Sequence, residues 1–204
     1  MKLHGALNSP YVRMCLVTAL EAGLKDRVTL VPADLTFTKA DLKLEKLSAI
    51  GKIPVLETEH GHGLHDSRVI MEYLCHTAGN KAFLPDDGVK RFRILILLAL
   101  AQGLCDATVS LRVETAARPE GLQWAALIDR LSFRIYACLD DLENNWVHEL
   151  ESVNLGSIAT ACALGYVDLR MNHMNWRNGR TQLSKFAEGF NSRASMIAAG
   201  LPKA

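Results

Sequence analysis

The chain has 204 residues, of which 49% are apolar and 22% charged, and its formal net charge at pH 7 is only +1. This length can bury a sizeable core in one domain or in two small ones. The balanced charge is unlike the basic excess of proteins that bind nucleic acid. The most apolar stretch, residues 94–101, is far short of the roughly 20 residues that cross a bilayer. We therefore expect neither nucleic acid nor a membrane as a partner.

The amino terminus predicts a cytoplasmic protein, and the cysteines predict buried, unpaired side chains. The first five residues carry one positive charge with no long apolar run behind it, which is unlike a signal peptide. The five cysteines are odd in number, widely spaced and without a Cys-x-x-Cys pair, so they predict neither a disulfide framework nor a zinc site. They are Cys15, Cys75, Cys105, Cys138 and Cys162. Because free cysteine is among the most buried residue types, each is interpreted as a small buried side chain on a helix.

The first 78 residues alternate short apolar runs with amphipathic stretches, which is typical of a mixed α/β unit. The predicted strands are 2–4, 28–31, 53–57 and 63–65, and the predicted helices are 10–23, a poorer one within 37–47, and 66–77. Ser9 is placed to cap the first helix, Pro10 suits its first turn, and Gly23 can close it. The predicted order is β-α-β-α-β-β-α.

The rest of the chain is predicted to be helical. Residues 79–87 are rich in turn-forming types and separate two different patterns, which indicates a linker. The predicted helices are 89–114, 120–150 and 157–171, followed by shorter ones. We therefore expect an α/β domain over 1–78 and an all-helical domain over 88–204.

The junction of Ser9 and Pro10 favours an anion. A hydroxyl at a helix start lies beside unpaired backbone N–H groups and the positive end of the helix dipole. These surroundings lower the pKa of a thiol, and a serine hydroxyl can donate one hydrogen bond to a thiolate. The alternative is a plain helix cap.

Two further motifs suggest ligand contacts. Pro54 opens a strand, which indicates either an ordinary edge strand or a cis bond after Ile53. A cis bond would turn the backbone N–H and C=O of Ile53 outward, where an extended peptide can pair with them. At the start of the third helix, Asp66 and Ser67 place a carboxylate and a hydroxyl together, which suits a group that carries both an ammonium and a carboxylate.

In this order and spacing, the three motifs resemble those of the cytosolic glutathione S-transferase superfamily. The chain is most similar to a bacterial serine-type member of that superfamily. Residues 101–107 and 157–166 resemble the fourth and sixth helices of a bacterial subgroup. The resemblance implies the glutathione transferase fold, with a thioredoxin-like domain of β-α-β-α-β-β-α order followed by a helical bundle.

The resemblance also implies roles for individual residues. Ser9 is expected to donate to the glutathione sulfur and favour its thiolate. Ile53 is expected to pair through its backbone with the cysteinyl part, and Lys52 to reach the glycine carboxylate. Asp66 and Ser67 are expected to hold the γ-glutamyl end.

A second, apolar pocket for the electrophile is implied as well, with Tyr11, Asp106 and Arg112 as its candidate lining. The implied activity joins the glutathione thiolate to an electrophilic small molecule, with glutathione peroxidase as a possible side activity, and glutathione is the co-substrate. The alternative is a non-catalytic binding or protein-interaction module of the same fold. Since Ser9 stands where thiol transferases of this superfamily have cysteine, mixed-disulfide chemistry is not expected as the main activity.

The implied assembly is a homodimer in which the third helix packs against the long helices 89–114 and 120–150 of the other subunit. The first of these helices has apolar residues on more faces than one core needs. No metal is expected, because His60 and His62 would share a face of a strand while His65 would point away from it. A polar hairpin turn is the favoured interpretation of these histidines.

The chain departs from the superfamily pattern in three places. Ser48 and Ala49 replace a common Asn-Pro pair. In the sixth helix, which the resemblance caps at Ser157, Thr160 replaces a common aspartate. Near the end of the chain, residues 193–195 read Arg-Ala-Ser in place of Arg-Pro-Ser.

Overall fold

The structure is a computed structural model, and it describes residues 1–201. The first part of the chain forms a four-stranded sheet in the order β2-β1-β3-β4. The strands are β1 (Lys2–Gly5), β2 (Thr29–Pro32), β3 (Val55–Glu57) and β4 (Gly63–Leu64). Strand β1 runs parallel to β2 and antiparallel to β3, and β3 runs antiparallel to β4. The sheet is therefore mixed, with β1 at its centre.

Three helices accompany this sheet: α1 (Pro10–Glu21), α2 (Leu42–Leu47) and α3 (Ser67–Thr77). The predicted order β-α-β-α-β-β-α is confirmed, and this half has a thioredoxin-like fold. Helix α1 begins where Ser9 caps it and ends two residues before Gly23, whose φ of 75° suits a residue without a side chain. Helix α1 packs against α3, and Sγ of Cys15 in α1 lies 3.6 Å from the carbonyl oxygen of Ser67 at the start of α3.

The second part of the chain is helical, as predicted. Its helices are α4 (Gly88–Arg112), α5 (Ala125–Asp141), α6 (Leu155–Arg170), α7 (Thr181–Asn191) and α8 (Ala194–Ala198). Helix α6 lies at the centre and is buried on nearly every face, and α4 packs against both α5 and α6. The apolar α6 sequence follows from this position, because a helix surrounded by protein needs no polar face.

The prediction of one helix over 120–150 is wrong. A single helical turn occupies Glu120–Leu122, α5 begins at Ala125, and two short turns cover Leu142–Leu150. The backbone N–H of Trp124 donates to the carboxylate of Glu114, 2.7 Å away. This buried carboxylate from the preceding segment satisfies a donor at the start of α5, so the helix begins later than periodicity alone indicates.

The start of α6 also differs from the expectation of a cap at Ser157. Asn154 is the cap residue: its side chain accepts from the Ser157 N–H at 3.0 Å, and its own N–H donates to the Ser157 hydroxyl at 2.9 Å. Thr160 donates to the carbonyl of Gly156, one turn earlier. Asparagine is as good a cap as serine, so the reciprocal pair stabilises the helix start without an aspartate at Thr160.

Close helix contacts hold α6 against both α4 and α1. A Cβ atom on Gly156 would lie 2.7 Å from the Leu97 side chain, and one on Gly165 would lie 3.1 Å from the Arg13 guanidinium. A side chain at position 156 would require α4 to shift, whereas one at position 165 would require the Arg13 side chain to move by a few tenths of an ångström. The helical part is therefore tightly packed against α1.

The segment Gly88–Ala117 has the length and apolar composition of a membrane-spanning helix, and 56% of its most apolar window is buried inside the fold. Core helices of soluble proteins share these properties. Burial thus accounts for much of the apolar character of this helix.

Glu21 joins the end of α1 to the last helices. Its two carboxylate oxygens accept from Nε and Nη2 of Arg193 at 2.7 and 2.8 Å, and the Ser195 hydroxyl also donates to it. Hydrogen bonds from Arg193 and Ser195 lower the pKa of the Glu21 carboxyl, although partial burial opposes them. The Arg-Ala-Ser sequence at 193–195 thus anchors the end of the chain to the α/β half.

We expect Glu21→Gln to lower the free energy of unfolding at pH 7 by about 1–2 kcal/mol, because a charged bidentate pair becomes a neutral contact. A carboxyl whose folded pKa is lowered stabilises the protein above its ordinary value of 4.5, and this contribution disappears as the pH falls through the folded pKa. Melting temperatures of wild type and variant should therefore differ at pH 7 and converge in acid, as the pH falls through the lowered pKa of Glu21. Asp26→Asn, an exposed carboxylate after α1, serves as control. A difference that persists undiminished in acid would contradict the role of this charge.

Candidate functional site

Helix α1 begins with an unsatisfied backbone donor. The half-buried Ser9 side chain accepts from the Val12 N–H at 3.4 Å, and the Arg13 N–H donates to the Ser9 carbonyl. Pro10 has no N–H. Within residues 1–201, the N–H of Tyr11 therefore has no acceptor. Since Ser9 accepts through its oxygen, its hydroxyl hydrogen is also left to donate, so both groups favour an anion at this helix end.

The chain before β3 offers a second set of unpaired backbone groups. The peptide bond between Ile53 and Pro54 is cis, as hypothesised. Strand β3 begins at Val55, which pairs with His4 of β1, so Ile53 precedes the paired part of the strand. In the described part of the chain, neither the N–H nor the C=O of Ile53 makes a hydrogen bond. An extended peptide can pair with such groups as an added strand.

The loop before Ile53 is held by side chains. The Ser48 hydroxyl lies 3.0 Å from Nδ1 of His65, and the Gly51 N–H donates to the Ser48 carbonyl. Gly51 has a φ of 62°. Ser48 thus connects this loop to the residue before Asp66, a role that the sequence does not reveal. Lys52 is exposed and makes no hydrogen bond within residues 1–201.

Helix α3 begins with a carboxylate and a hydroxyl, as predicted. Asp66 caps the helix by accepting from the Arg68 N–H at 3.0 Å, and Ser67 is the first helical residue. Ser67 is buried with 3% of its surface exposed, and Asp66 is half exposed. The N–H of Ser67 has no acceptor among the described residues. The structure therefore brings a carboxylate oxygen and two donor groups of Ser67 to one helix end.

Arg68 contacts the candidate site residue Asp66, and sequence reasoning assigned it no role. Its guanidinium Nη2 lies 3.1 Å from Oδ2 of Asp66. Partial burial would raise the pKa of Asp66, but the Arg68 side chain and N–H outweigh it and lower that pKa below its ordinary value of 3.8. Asp66 is therefore an anion near neutral pH. The sequence contains a signal for this pair, because Arg68 follows the cap residue Asp66 by two positions at a helix start.

Tyr11 and Asp106 of the predicted electrophile pocket are in contact. The Tyr11 hydroxyl donates to Oδ1 of Asp106 across the two halves of the molecule. Burial, the neighbouring Cys105 and the bond to Asp106 raise the pKa of Tyr11 far above 10.0, so its hydroxyl stays protonated. The phenol therefore does not act as a base.

Arg112 lies farther along α4, close enough to Tyr166 on α6 for its charge to act on that phenol. Burial raises the pKa of Tyr166, whereas the charges of Arg170 and Arg112 oppose the rise. No hydrogen bond in the described chain joins Arg112 to Tyr11 or Asp106. The structure thus brings together two of the three predicted lining residues.

All five cysteines lie on helices, as predicted, but only four of them are as buried as predicted. Four are buried and Cys138 is half-buried. Burial raises the pKa of the Cys15 and Cys105 thiols well above 9.0 and that of Cys162 to about 11. A neutral, buried thiol is a poor nucleophile, so none of these three side chains suits thiol–disulfide exchange at neutral pH.

No metal site is evident in the part of the chain that the structure describes. Within residues 1–201, no group of three His, Cys, Asp or Glu side chains is placed to hold a metal ion. His60 and His62 are exposed on the turn between β3 and β4, and His65 contacts Ser48 instead.

The chain is similar to glutathione S-transferases in both sequence and structure. The family model described as "Glutathione S-transferase, N-terminal domain" matches residues 8–77. The chain is 35% identical to the "uncharacterized GST-like protein YibF" of Escherichia coli (strain K12), over the full length of both proteins. A glutathione transferase family member from Pseudomonas fluorescens Pf-5, crystallised with bound glutathione, superposes with a TM-score of 0.96 at 36% identity and covers 98% of each chain. A second crystal structure from that organism holds S-(propanoic acid)-glutathione, with a TM-score of 0.90 at 35% identity over 99% of this chain and all of the other.

Proposed function

Because this chain belongs to the glutathione S-transferase superfamily, we propose that it binds glutathione and joins its thiolate to an electrophilic small molecule. The observation that carries the proposal is the set of unpaired donors at the start of α1, which comprises the Ser9 hydroxyl and the Tyr11 N–H. Two crystallised relatives with TM-scores of 0.90 or more hold glutathione or an S-substituted glutathione, which supports the same ligand here.

Each part of glutathione has a complementary group in the proposed site. The unpaired N–H and C=O of Ile53 pair with the cysteinyl backbone. The Asp66 carboxylate accepts from the γ-glutamyl ammonium, and the two donors of Ser67 meet the γ-glutamyl carboxylate. The exposed ammonium of Lys52 extends to the glycine carboxylate. In the proposed binding mode, the thiol lies at the start of α1.

The proposed chemistry is nucleophilic attack by the bound thiolate. The Ser9 hydroxyl donates to the sulfur, and the α1 dipole and the Tyr11 N–H add favourable charge, so the thiol loses its proton more readily than in water. The thiolate attacks the electrophilic carbon, a carbon–sulfur bond forms, and the leaving group departs with the bonding electrons. Binding both reactants side by side lowers the barrier further. This role makes the chain a serine-type member.

The electrophile is proposed to lie between Tyr11 and the helical half. The protonated Tyr11 hydroxyl is fixed by Asp106, so the phenol ring presents a rigid surface to the second substrate. Arg112 and Tyr166 line the far side of this region in the proposal. The S-substituted glutathione held by the Pseudomonas fluorescens relative supports a site with room beside the sulfur.

Two assays separate catalysis from a non-catalytic binding role. The first is retention of the chain on immobilised glutathione, and the second is turnover of a general aryl halide electrophile. An enzyme passes both, whereas a binding module is retained but converts no electrophile. Reduction of an organic peroxide by glutathione measures the peroxidase side activity.

The proposal includes the organisation of the molecule. Residues 1–78 are proposed as the glutathione-binding domain, 79–87 as the linker and 88–204 as the helical domain, in a cytoplasmic homodimer. Exposed apolar side chains on α3 and α4 support the dimer. They are Val69 of α3 with Val89, Phe92 and Ile96 of α4, each at least half exposed, and the spacing of the last three places them on one face of α4. Such side chains can meet their own copies across a two-fold axis.

We expect sedimentation equilibrium of the wild-type chain at micromolar concentration to give twice the mass of one 22.5 kDa chain. Phe92→Glu should shift the mass to that of one chain, because it places a charge between the exposed apolar side chains of Val89 and Ile96. Ile197→Glu, on an exposed apolar residue of α8, should leave the dimer intact. A wild-type mass near 22.5 kDa would refute the dimer.

A further inference from the structure

Gln102 of α4 reaches across the molecule to the start of α3. Its Nε2 donates to the hydroxyl oxygen of Ser67 at 2.8 Å, and both side chains are buried, with 6% and 3% of their surfaces exposed. The Ser67 carbonyl also accepts from Sγ of Cys15 at 3.6 Å. Ser67 is thus held from the helical half and from α1 at the same time.

This contact determines what the Ser67 hydroxyl can do. A serine hydroxyl carries one hydrogen, and here its oxygen accepts from Gln102. Its hydrogen is therefore left for another acceptor, and the described residues provide none. The Ser67 N–H is equally without an acceptor. Two donors of one residue are consequently available to an anion at the start of α3.

The side-chain carbonyl oxygen of Gln102 indicates that packing alone does not explain why a glutamine stands at this position. This atom, Oε1, is buried and has no hydrogen-bond partner. A buried unpaired amide oxygen costs free energy, and most buried polar groups are paired. Methionine of similar length would fill the same space without that cost. The bond to Ser67 is therefore the specific contribution of the amide.

We propose that Gln102 is a positioning residue for glutathione, which directs the Ser67 hydroxyl hydrogen toward the γ-glutamyl carboxylate. This inference rests on the proposed function. Gln102 acts through Ser67, because its own amide is buried. The helical half thereby contributes to glutathione affinity through a residue beneath the binding surface.

A double-mutant cycle tests the coupling between the two residues. The ligand is S-methylglutathione, whose thioether does not titrate, and calorimetry measures its Kd for wild type, Gln102→Met, Ser67→Ala and the double variant. We expect Gln102→Met to weaken binding about tenfold in the wild-type background and to have almost no effect in the S67A background. Gln182→Met, on an exposed glutamine of α7, is the control.

An equal loss in both backgrounds would show that Gln102 acts by packing, and no loss in the wild-type background would show that it does nothing for binding. Either result overturns the inference. If wild type binds neither glutathione nor S-methylglutathione, the proposed function itself fails, and the inference fails with it. Melting curves of all variants identify any that do not fold.

Gln102→Glu provides a second test, the pH dependence of affinity, which would not change if Gln102 had only a structural role. At high pH the carboxylate accepts the Ser67 hydrogen, and at low pH the protonated acid donates to Ser67 as glutamine does. The variant should therefore bind S-methylglutathione about tenfold more weakly at pH 8 than at pH 5, with wild type nearly unchanged. Asp66 and Cys15 keep one protonation state over this range, since the pKa of Asp66 is lowered from 3.8 and that of Cys15 is raised well above 9.0, and the wild-type measurement at both pH values accounts for the titration of other groups such as His65. Variant affinity that is independent of pH would overturn the inference.

Discussion

Replacing Ser9 with alanine is expected to lower kcat/KM for conjugation about 100-fold while the Kd of glutathione changes little. The hydroxyl donates mainly to the thiolate, which develops as the thiol loses its proton, and one such donor contributes about 10²-fold or more to a rate. The loss should shrink at high pH, because the thiolate then forms without assistance. The pH dependence of kcat/KM for wild type and variant, with a general electrophile, is the measurement.

Controls separate this role from helix capping. Ser9 also accepts from the Val12 N–H, so alanine costs about 1 kcal/mol of stability as well. Ser9→Gly lacks the hydroxyl but lowers capping by only a few tenths of a kcal/mol, and it should lose as much activity as alanine. Ser9→Thr keeps a hydroxyl and should retain part of the activity. Near-normal turnover of the alanine variant across the pH range would reduce Ser9 to a helix cap.

Replacing Asp66 with alanine is expected to weaken the binding free energy of glutathione by about 1–3 kcal/mol, which raises its Kd roughly 5- to 150-fold. The variant removes the anion that pairs with the γ-glutamyl ammonium and leaves the neighbouring Arg68 guanidinium without its partner. The turnover of bound substrate should change less than KM, because Asp66 is far from the reacting sulfur in the proposed binding mode. Calorimetry with glutathione gives the affinity directly.

Asp66→Asn tests the charge with the helix cap preserved. Asparagine is an equally good cap and can still accept from the Arg68 N–H. This variant should lose as much affinity for glutathione as alanine does. For a glutathione analogue in which hydrogen replaces the γ-glutamyl amino group, wild type and D66N should bind with similar affinity. A Kd for glutathione that is unchanged in both variants would remove Asp66 from the site.

The sequence by itself determined the features that depend on neighbouring residues. The cap at Ser9, the proline in the first turn of α1, the cap at Asp66 and the order of strands and helices are all local, since each follows from the conformational preferences of a few adjacent residues. The burial of the cysteines followed from residue type. For the same reason, the sequence predicted the starts of α1, α3 and β3, beside which the unpaired backbone groups lie.

Only the tertiary structure decided which distant side chains meet. The bonds of Gln102 to Ser67, Tyr11 to Asp106 and Arg193 to Glu21 join residues that are 35, 95 and 172 positions apart. Periodicity predicts helices, but it contains no information about which helices cross or at which residues along their axes they cross.

The same limit explains one of the two errors at helix starts, that of α5. The start of α5 depends on a carboxylate from Glu114, ten residues earlier, and the start of α6 is capped by Asn154, three residues before the expected Ser157. A helix begins where its first N–H groups find acceptors, and those acceptors come from the folded surroundings as well as from the adjacent sequence. Tertiary packing therefore determined the start of α5, the partner of Ser67 and the contact between Tyr11 and Asp106. The cap of α6 at Asn154 is a local pair with Ser157 that the expectation of a cap at Ser157 missed.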